Sequence, residues 1–120
     1  MIIGIGLDVV NIERFGRHME NPRLRARLLL PTEDTGTMEH RAAIFAAKEA
    51  IVKAFGGVRS SEFRWHDIGI SHGRDGRPVA ILEGAVRQLA SDRGVHRIHV
   101  TLSHDEPVAA AVVILEGRAS

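Results

Sequence analysis

The sequence predicts an α+β domain, and three observations carry that prediction. An apolar strand opens the chain over residues 2–7. A long alanine-rich helix without internal glycine or proline covers residues 38–55, and two hairpin signals follow it at Arg74-Asp75-Gly76-Arg77 and Asp105-Glu106-Pro107. The resulting order of strand, helices, hairpin, helix, hairpin suits an antiparallel sheet packed on a long central helix rather than a doubly wound parallel one. With 120 residues, the chain reads as a single domain over 1–120, long enough to bury roughly two-thirds of its unfolded surface.

Residues 2–7 are apolar apart from Gly4 and Gly6, so the first strand is expected to be buried on both faces, with Asp8 at its end. A short helix follows from about Asn11, whose side chain suits an N-cap, and stops near Asn21-Pro22. Residues 23–30 can add a further turn or two before Pro31, and residues 32–37 are loop-like. The helix over 38–55 presents Ala43, Ala46, Ala47, Ala50, Ile51 and Ala54 as an apolar face, and Gly56-Gly57 supply its stop.

Residues 65–71 alternate around Ile68 and Ile70 and predict a strand that turns back as residues 78–82. Residues 84–93 read as a helix ended by Gly94. Residues 96–104 alternate, with Ile98, Val100 and Leu102 on one face, and residues 108–115 form a continuous apolar strand expected to be central. Residues 117–120 read as a frayed tail.

Composition removes several classes of chemistry. The absence of cysteine excludes disulfides, thiolate metal sites and a cysteine nucleophile, and is compatible with a reducing cytoplasm. No apolar run approaches the roughly 20 residues that span a bilayer, and the first residues lack the charged region of a signal peptide, so no membrane partner is expected. Sixteen basic and 15 acidic residues leave a formal net charge of +1. Between Ile12 and Leu30, however, five arginines face two glutamates. A nucleic-acid partner is not expected, because the net charge is almost nil and Phe15 is the single aromatic residue among those arginines.

Three placements could carry chemistry. Asp8 ends a strand, where a rigid backbone and open end suit metal binding; a cap or turn role is the alternative. Val9 stands where a dinucleotide-binding glycine loop would need its third glycine. Glu49 and Lys53 are four residues apart and share a helix face, and with Lys48 they are the charges in an otherwise nearly all-apolar run from 42 to 55. They form either an ordinary surface pair or a buried working cluster. Ser103-His104-Asp105 ends a strand at a tight turn. Adjacent residues on an extended chain point apart, so these three do not make a catalytic triad.

Four segments in order then resemble one family. Gly4-Ile5-Gly6-Leu7-Asp8, the run from Phe45 to Ala54, Gly76-Arg77-Pro78, and His99-Val100-Thr101-Leu102-Ser103-His104 are similar to the motifs of the holo-acyl-carrier-protein synthase branch of the 4′-phosphopantetheinyl transferases. The resemblance implies that fold and transfer of the phosphopantetheine arm of coenzyme A to a serine of an acidic acyl carrier protein, releasing 3′,5′-ADP. It also implies Mg²⁺ held by Asp8 and Glu49, and Lys53 reaching the leaving phosphates. Coenzyme A would meet Lys48, Lys53, Gly56, Pro78, Ser103 and His104. The base for the serine hydroxyl stays open between Glu49, a water on the metal, and His104 with Asp105.

By the same resemblance the carrier docks on a basic first helix, which assigns Arg14 to docking, with Arg23 and Arg27 in the same region. Small members form homotrimers with sites at subunit interfaces. Two departures stand out: Ile44 occupies a position where the family often has arginine, leaving Arg41 or Lys48 as substitutes, and the segment from 31 to 41 is short.

Overall fold

The computed structural model describes residues 1–59 and 61–119. Strand β1 (Ile2–Asn11) leads into helices α1 (Ile12–His18), α2 (Pro22–Leu28) and α3 (Met38–Ala54). A 3₁₀ turn (Trp65–Asp67) precedes the hairpin β2 (Ile68–His72) and β3 (Pro78–Leu82). Helix α4 (Gly84–Asp92) and the hairpin β4 (Val95–Asp105) and β5 (Val108–Gly117) complete the order. Both sheets are antiparallel: β1-β5-β4, with β5 central as expected, and the two-stranded β2-β3. Among the described residues no helix is long and apolar enough to cross a membrane.

Local chemistry sets the helix ends. Asn11 Oδ1 accepts the Arg14 N–H at 2.9 Å, and Asn21 Oδ1 caps α2, with Pro22 in its first turn. The expected break at Asn21-Pro22 is thus where a second helix begins. Thr37 caps α3 through the His40 N–H, and Gly56 and Gly57 end it at φ +84° and +96°.

Helix α3 is the centre of the core, with Ala46, Ala47, Ala50 and Ile51 fully buried. Its small residues let β1 approach closely. A Cβ added at Gly4 would stand 1.9 Å from the Ala54 carbonyl oxygen, and one at Gly6 would stand 1.9 Å from that of Ala50. The two glycines therefore allow strand-to-helix contact, and no phosphate loop is involved.

Three expectations need correction. Strand β1 is an edge strand, not one buried on both faces: Ile5, Leu7 and Val9 are 61%, 56% and 55% exposed. An apolar run tells only that both faces are apolar, not which neighbour, if any, covers each. Trp65, His66 and Asp67 form a 3₁₀ turn before β2, because the Asp67 carboxylate accepts the Arg64 N–H at 3.1 Å and bends the chain there. The tail is shorter than expected, since β5 runs to Gly117 and pairs with Val95; Ser120 lies outside the described residues.

Candidate active site

Side chains alternate along β1, so Asp8 points to the same side as Gly4 and Gly6, toward α3. There it meets the helix face that carries Glu49 and Lys53. Lys53 Nζ donates to Asp8 Oδ1 at 2.7 Å and to the Leu7 carbonyl at 3.3 Å. The Asp8 side chain is 13% exposed while that of Lys53 is 52% exposed. The acid is held in a wall and the ammonium reaches in from solvent.

Glu49 is half-buried beside them. Burial first, and the Asp8 charge second, raise its pKa above the ordinary carboxylate value, with Lys53 working in the opposite direction. The Asp8 contact raises the Lys53 pKa in turn. Asp8, Arg14, His18, Phe45, Glu49 and Lys53 line a groove of about 330 Å³. His18 was not singled out in the sequence. Its signal was present, since it lies four residues beyond Arg14 and shares that helix face.

The donor set in the groove fits Mg²⁺. That ion takes one or two carboxylates and fills its remaining positions with water and phosphate oxygens. Two carboxylates close enough to raise one proton affinity are a site that a cation relieves. Among the described residues no group of three or more metal-binding side chains forms a closed cage.

Other predicted residues lie elsewhere. Lys48 is fully buried: its ammonium stands 2.5 Å from Glu33 Oε1 and donates to the Leu28 carbonyl at 2.9 Å. It cannot meet coenzyme A as expected, because one residue along α3 is a rotation of about 100° away from Glu49, into the core. Glu33 completes the arrangement by accepting from the Leu30 and Ile70 N–H groups, both at 2.8 Å. Nothing in the sequence marked Glu33, and its neighbours only become visible in the fold.

Ile44 is 1% exposed in the core, so this position presents nothing to a ligand. Arg41 is no free substitute either. Its Nε lies 3.0 Å from Asp34 Oδ1, without the angle of a hydrogen bond, and Asp34 is held bidentately by Arg25 at 2.7 Å. The short loop thus delivers one acid to Lys48 and another to Arg25 and Arg41.

Ser103, His104 and Asp105 are exposed and do not line the groove. His104 faces Ala109 across the β4–β5 ladder, and Ala109 faces Val10. Two strand spacings, about 10 Å, therefore separate His104 from β1. It lies instead near Glu39 and His40 at the start of α3, where burial first, then His72 and then His104, depress the His40 pKa. Within one chain His104 and Asp105 stand apart from Glu49, the other side chain that the resemblance offers as base. Pro78 pairs with His72, whose ring lies 5.2 Å from that of His40, and so joins the same end of α3. Gly56 sits at the other end, beyond Lys53, and Arg14, Arg23 and Arg27 are exposed on α1 and α2.

The profile of the 4′-phosphopantetheinyl transferase superfamily matches residues 4–113. A holo-acyl-carrier-protein synthase of Leifsonia xyli is 45% identical over 117 residues, covering 97% of this chain and 98% of that one. The crystal structure of the holo-acyl-carrier-protein synthase from Neisseria meningitidis superposes with a TM-score of 0.87 at 31% identity, covering 97% of this chain and 99% of that one. The Helicobacter pylori synthase in complex with coenzyme A superposes at 0.82, with 27% identity over 93% of this chain and 99% of that one. A shared fold, near-complete coverage and the Asp8–Glu49–Lys53 constellation converge: the chain belongs to the 4′-phosphopantetheinyl transferase superfamily, in its holo-acyl-carrier-protein synthase branch.

Proposed function

We propose that residues 1–120 act as a single transferase domain that moves 4′-phosphopantetheine from coenzyme A to a serine of an apo acyl carrier protein, releasing 3′,5′-ADP. The convergence of Asp8, Glu49 and Lys53 on one groove carries this reading. Displacement at phosphorus asks a protein mainly to position groups and neutralise charge. Asp8 and Glu49 would hold Mg²⁺, which when bound neutralises pyrophosphate charge. Lys53, half in solvent, would turn from Asp8 to the leaving phosphates. Glu49 lines the groove and is one candidate acceptor of the serine proton, beside water and His104 with Asp105. Phe15, Phe45 and Val10 form apolar walls that limit water, and Arg14 on the groove's rim would meet the acidic carrier.

The open side of the β1-β5-β4 sheet supports assembly. Ile5, Leu7 and Val9 pair with Ile114, Val112 and Ala110, a contiguous apolar face of the kind that marks an interface. We read it as the contact of a homotrimer whose active sites lie between subunits. A neighbouring copy would then supply the Ser103, His104, Asp105 and Pro78 region that a single chain keeps away from its own groove. A cytoplasmic location agrees with this reading.

The test is direct. Incubate the protein with coenzyme A, Mg²⁺ and several apo carrier proteins, and look by intact mass for the added phosphopantetheine. Modification that chelation of Mg²⁺ stops supports the reading in full; no modification of any carrier overturns it.

A further inference from the structure

A second cleft of about 440 Å³ lies beside the groove, lined by Arg27, Phe63, Arg64, Trp65 and His66. The two are joined by aromatic rings. Phe45 lines the groove and meets Trp65 at 5.2 Å between centroids, and Phe63 meets Trp65 edge-on at 5.0 Å. An aromatic floor therefore runs from the Glu49 side of α3 out to Arg64.

The rim of this cleft is cationic. The Arg64 side chain is 81% exposed, and its only carboxylate neighbour among the described residues, Asp67, is 3.7 Å away. Arg27 is exposed and enters no ion pair among the described residues. The walls are fixed from behind. His66 Nε2 lies 2.6 Å from the Ala26 carbonyl, which binds the 3₁₀ turn to α2. Buried Lys48 donates to the Leu28 carbonyl on one wall and, at 3.4 Å, to the Trp65 carbonyl on the other. The cleft is thus preformed and needs little ordering on binding.

A preformed aromatic cleft ringed by arginines fits an apolar side chain projecting from an acidic surface: the ring faces take the apolar group, and the rim meets the surrounding carboxylates. We propose that this cleft is a second docking contact for the acyl carrier protein, seating an apolar side chain of the carrier while Arg14 and the groove receive its serine. The inference rests on the carrier-protein reading above. It assigns Trp65, Phe63 and Arg64 to carrier recognition, and it gives Lys48 the role of a positioning residue that holds the cleft's two walls.

Trp65 is the single tryptophan of the chain and reports on the cleft directly. Titration with apo carrier protein should shift its emission saturably, and coenzyme A alone should not. Arg64→Glu should raise the carrier KM at least fivefold and leave the coenzyme A KM and kcat within twofold, with Arg64→Lys restoring most of the loss. Phe63→Ala should weaken the carrier alone in the same way. An emission change with coenzyme A but none with the carrier would overturn the proposal, giving the cleft to the nucleotide. So would an unchanged carrier KM in Arg64→Glu while the wild-type protein turns over. Failure of the wild type to modify any carrier is a different result, which removes the transferase reading and this inference with it.

Discussion

Lys53 Nζ stands 2.7 Å from Asp8 Oδ1, joining residues 45 apart in sequence across the strand–helix contact that Gly4 and Gly6 permit. An ion pair this exposed stabilises the fold by only about 0.2–1 kcal/mol. Its value is positional. Lys53→Met should lower the transfer rate by about 100-fold or more, the scale of losing one charge aimed at a transition state, with the melting temperature nearly unchanged. Steady-state kinetics beside a thermal melt separates the two, and full activity in Lys53→Met would remove the lysine from the mechanism.

One residue before Glu49, Lys48 is committed to the core. Removing one member of a buried, hydrogen-bonded pair strands the other, so Lys48→Met should cost about 3–5 kcal/mol in urea unfolding. Glu33 also accepts two backbone N–H groups, so it should be neutralised rather than truncated. Lys48→Met with Glu33→Gln should regain part of the loss, since no charge remains stranded; the amide oxygen keeps one of the two N–H partners and the NH2 group leaves the other unmet. A single mutant as stable as the wild type would contradict the burial seen here.

The β1–α3 contact predicts a contrast between two glycines. Gly6→Ala places a methyl 1.9 Å from the Ala50 oxygen and 2.8 Å from the Ala54 nitrogen, backbone atoms that cannot move aside. A loss of about 3 kcal/mol is expected. Gly16→Ala, in helix α1, meets only Met38 Cγ at 3.6 Å and should stabilise by up to about 1 kcal/mol. Chemical denaturation of the two variants checks both signs.

His40 gives a pH dependence. Burial, then the charges of His72, His104 and Arg41, hold its pKa below the ordinary 6.5. Its contribution to stability is therefore complete above pH 6.5 and is lost as pH falls through the depressed value. Thermal melts between pH 7.5 and 5 should show wild-type protein losing stability on acidification, and His40→Gln losing less. Parallel curves for the two proteins would refute the shift.

The open sheet face predicts assembly. Leu7→Glu puts a charge opposite Val112, in the middle of the apolar face. Sedimentation should show three copies in the wild type and one in the variant, and activity should fall together with assembly. A variant that remains trimeric would place the interface elsewhere.

Much of this was legible in the sequence because it is local. The cap at Asn11, the glycine stop after α3, both hairpin turns and the shared face of Glu49 and Lys53 depend on short-range spacing. The strand order needed only one long apolar run to mark β5 as central. The resemblance of four ordered motifs brought Asp8 to Glu49 and Lys53 before the fold did so.

Tertiary structure alone decided the rest, because it depends on which distant segment arrives at which face. Periodicity made β1 apolar on both sides but could not say that α3 covers one face and that, among the described residues, the other face stays open. It placed Lys48 beside Glu49 without revealing that Glu33 and two carbonyls wait for its charge. The resemblance put His104 among the working residues, although β5 holds it away from the groove of its own chain. Short-range chemistry fixes what each residue can do, and packing across long sequence separations fixes what each one meets.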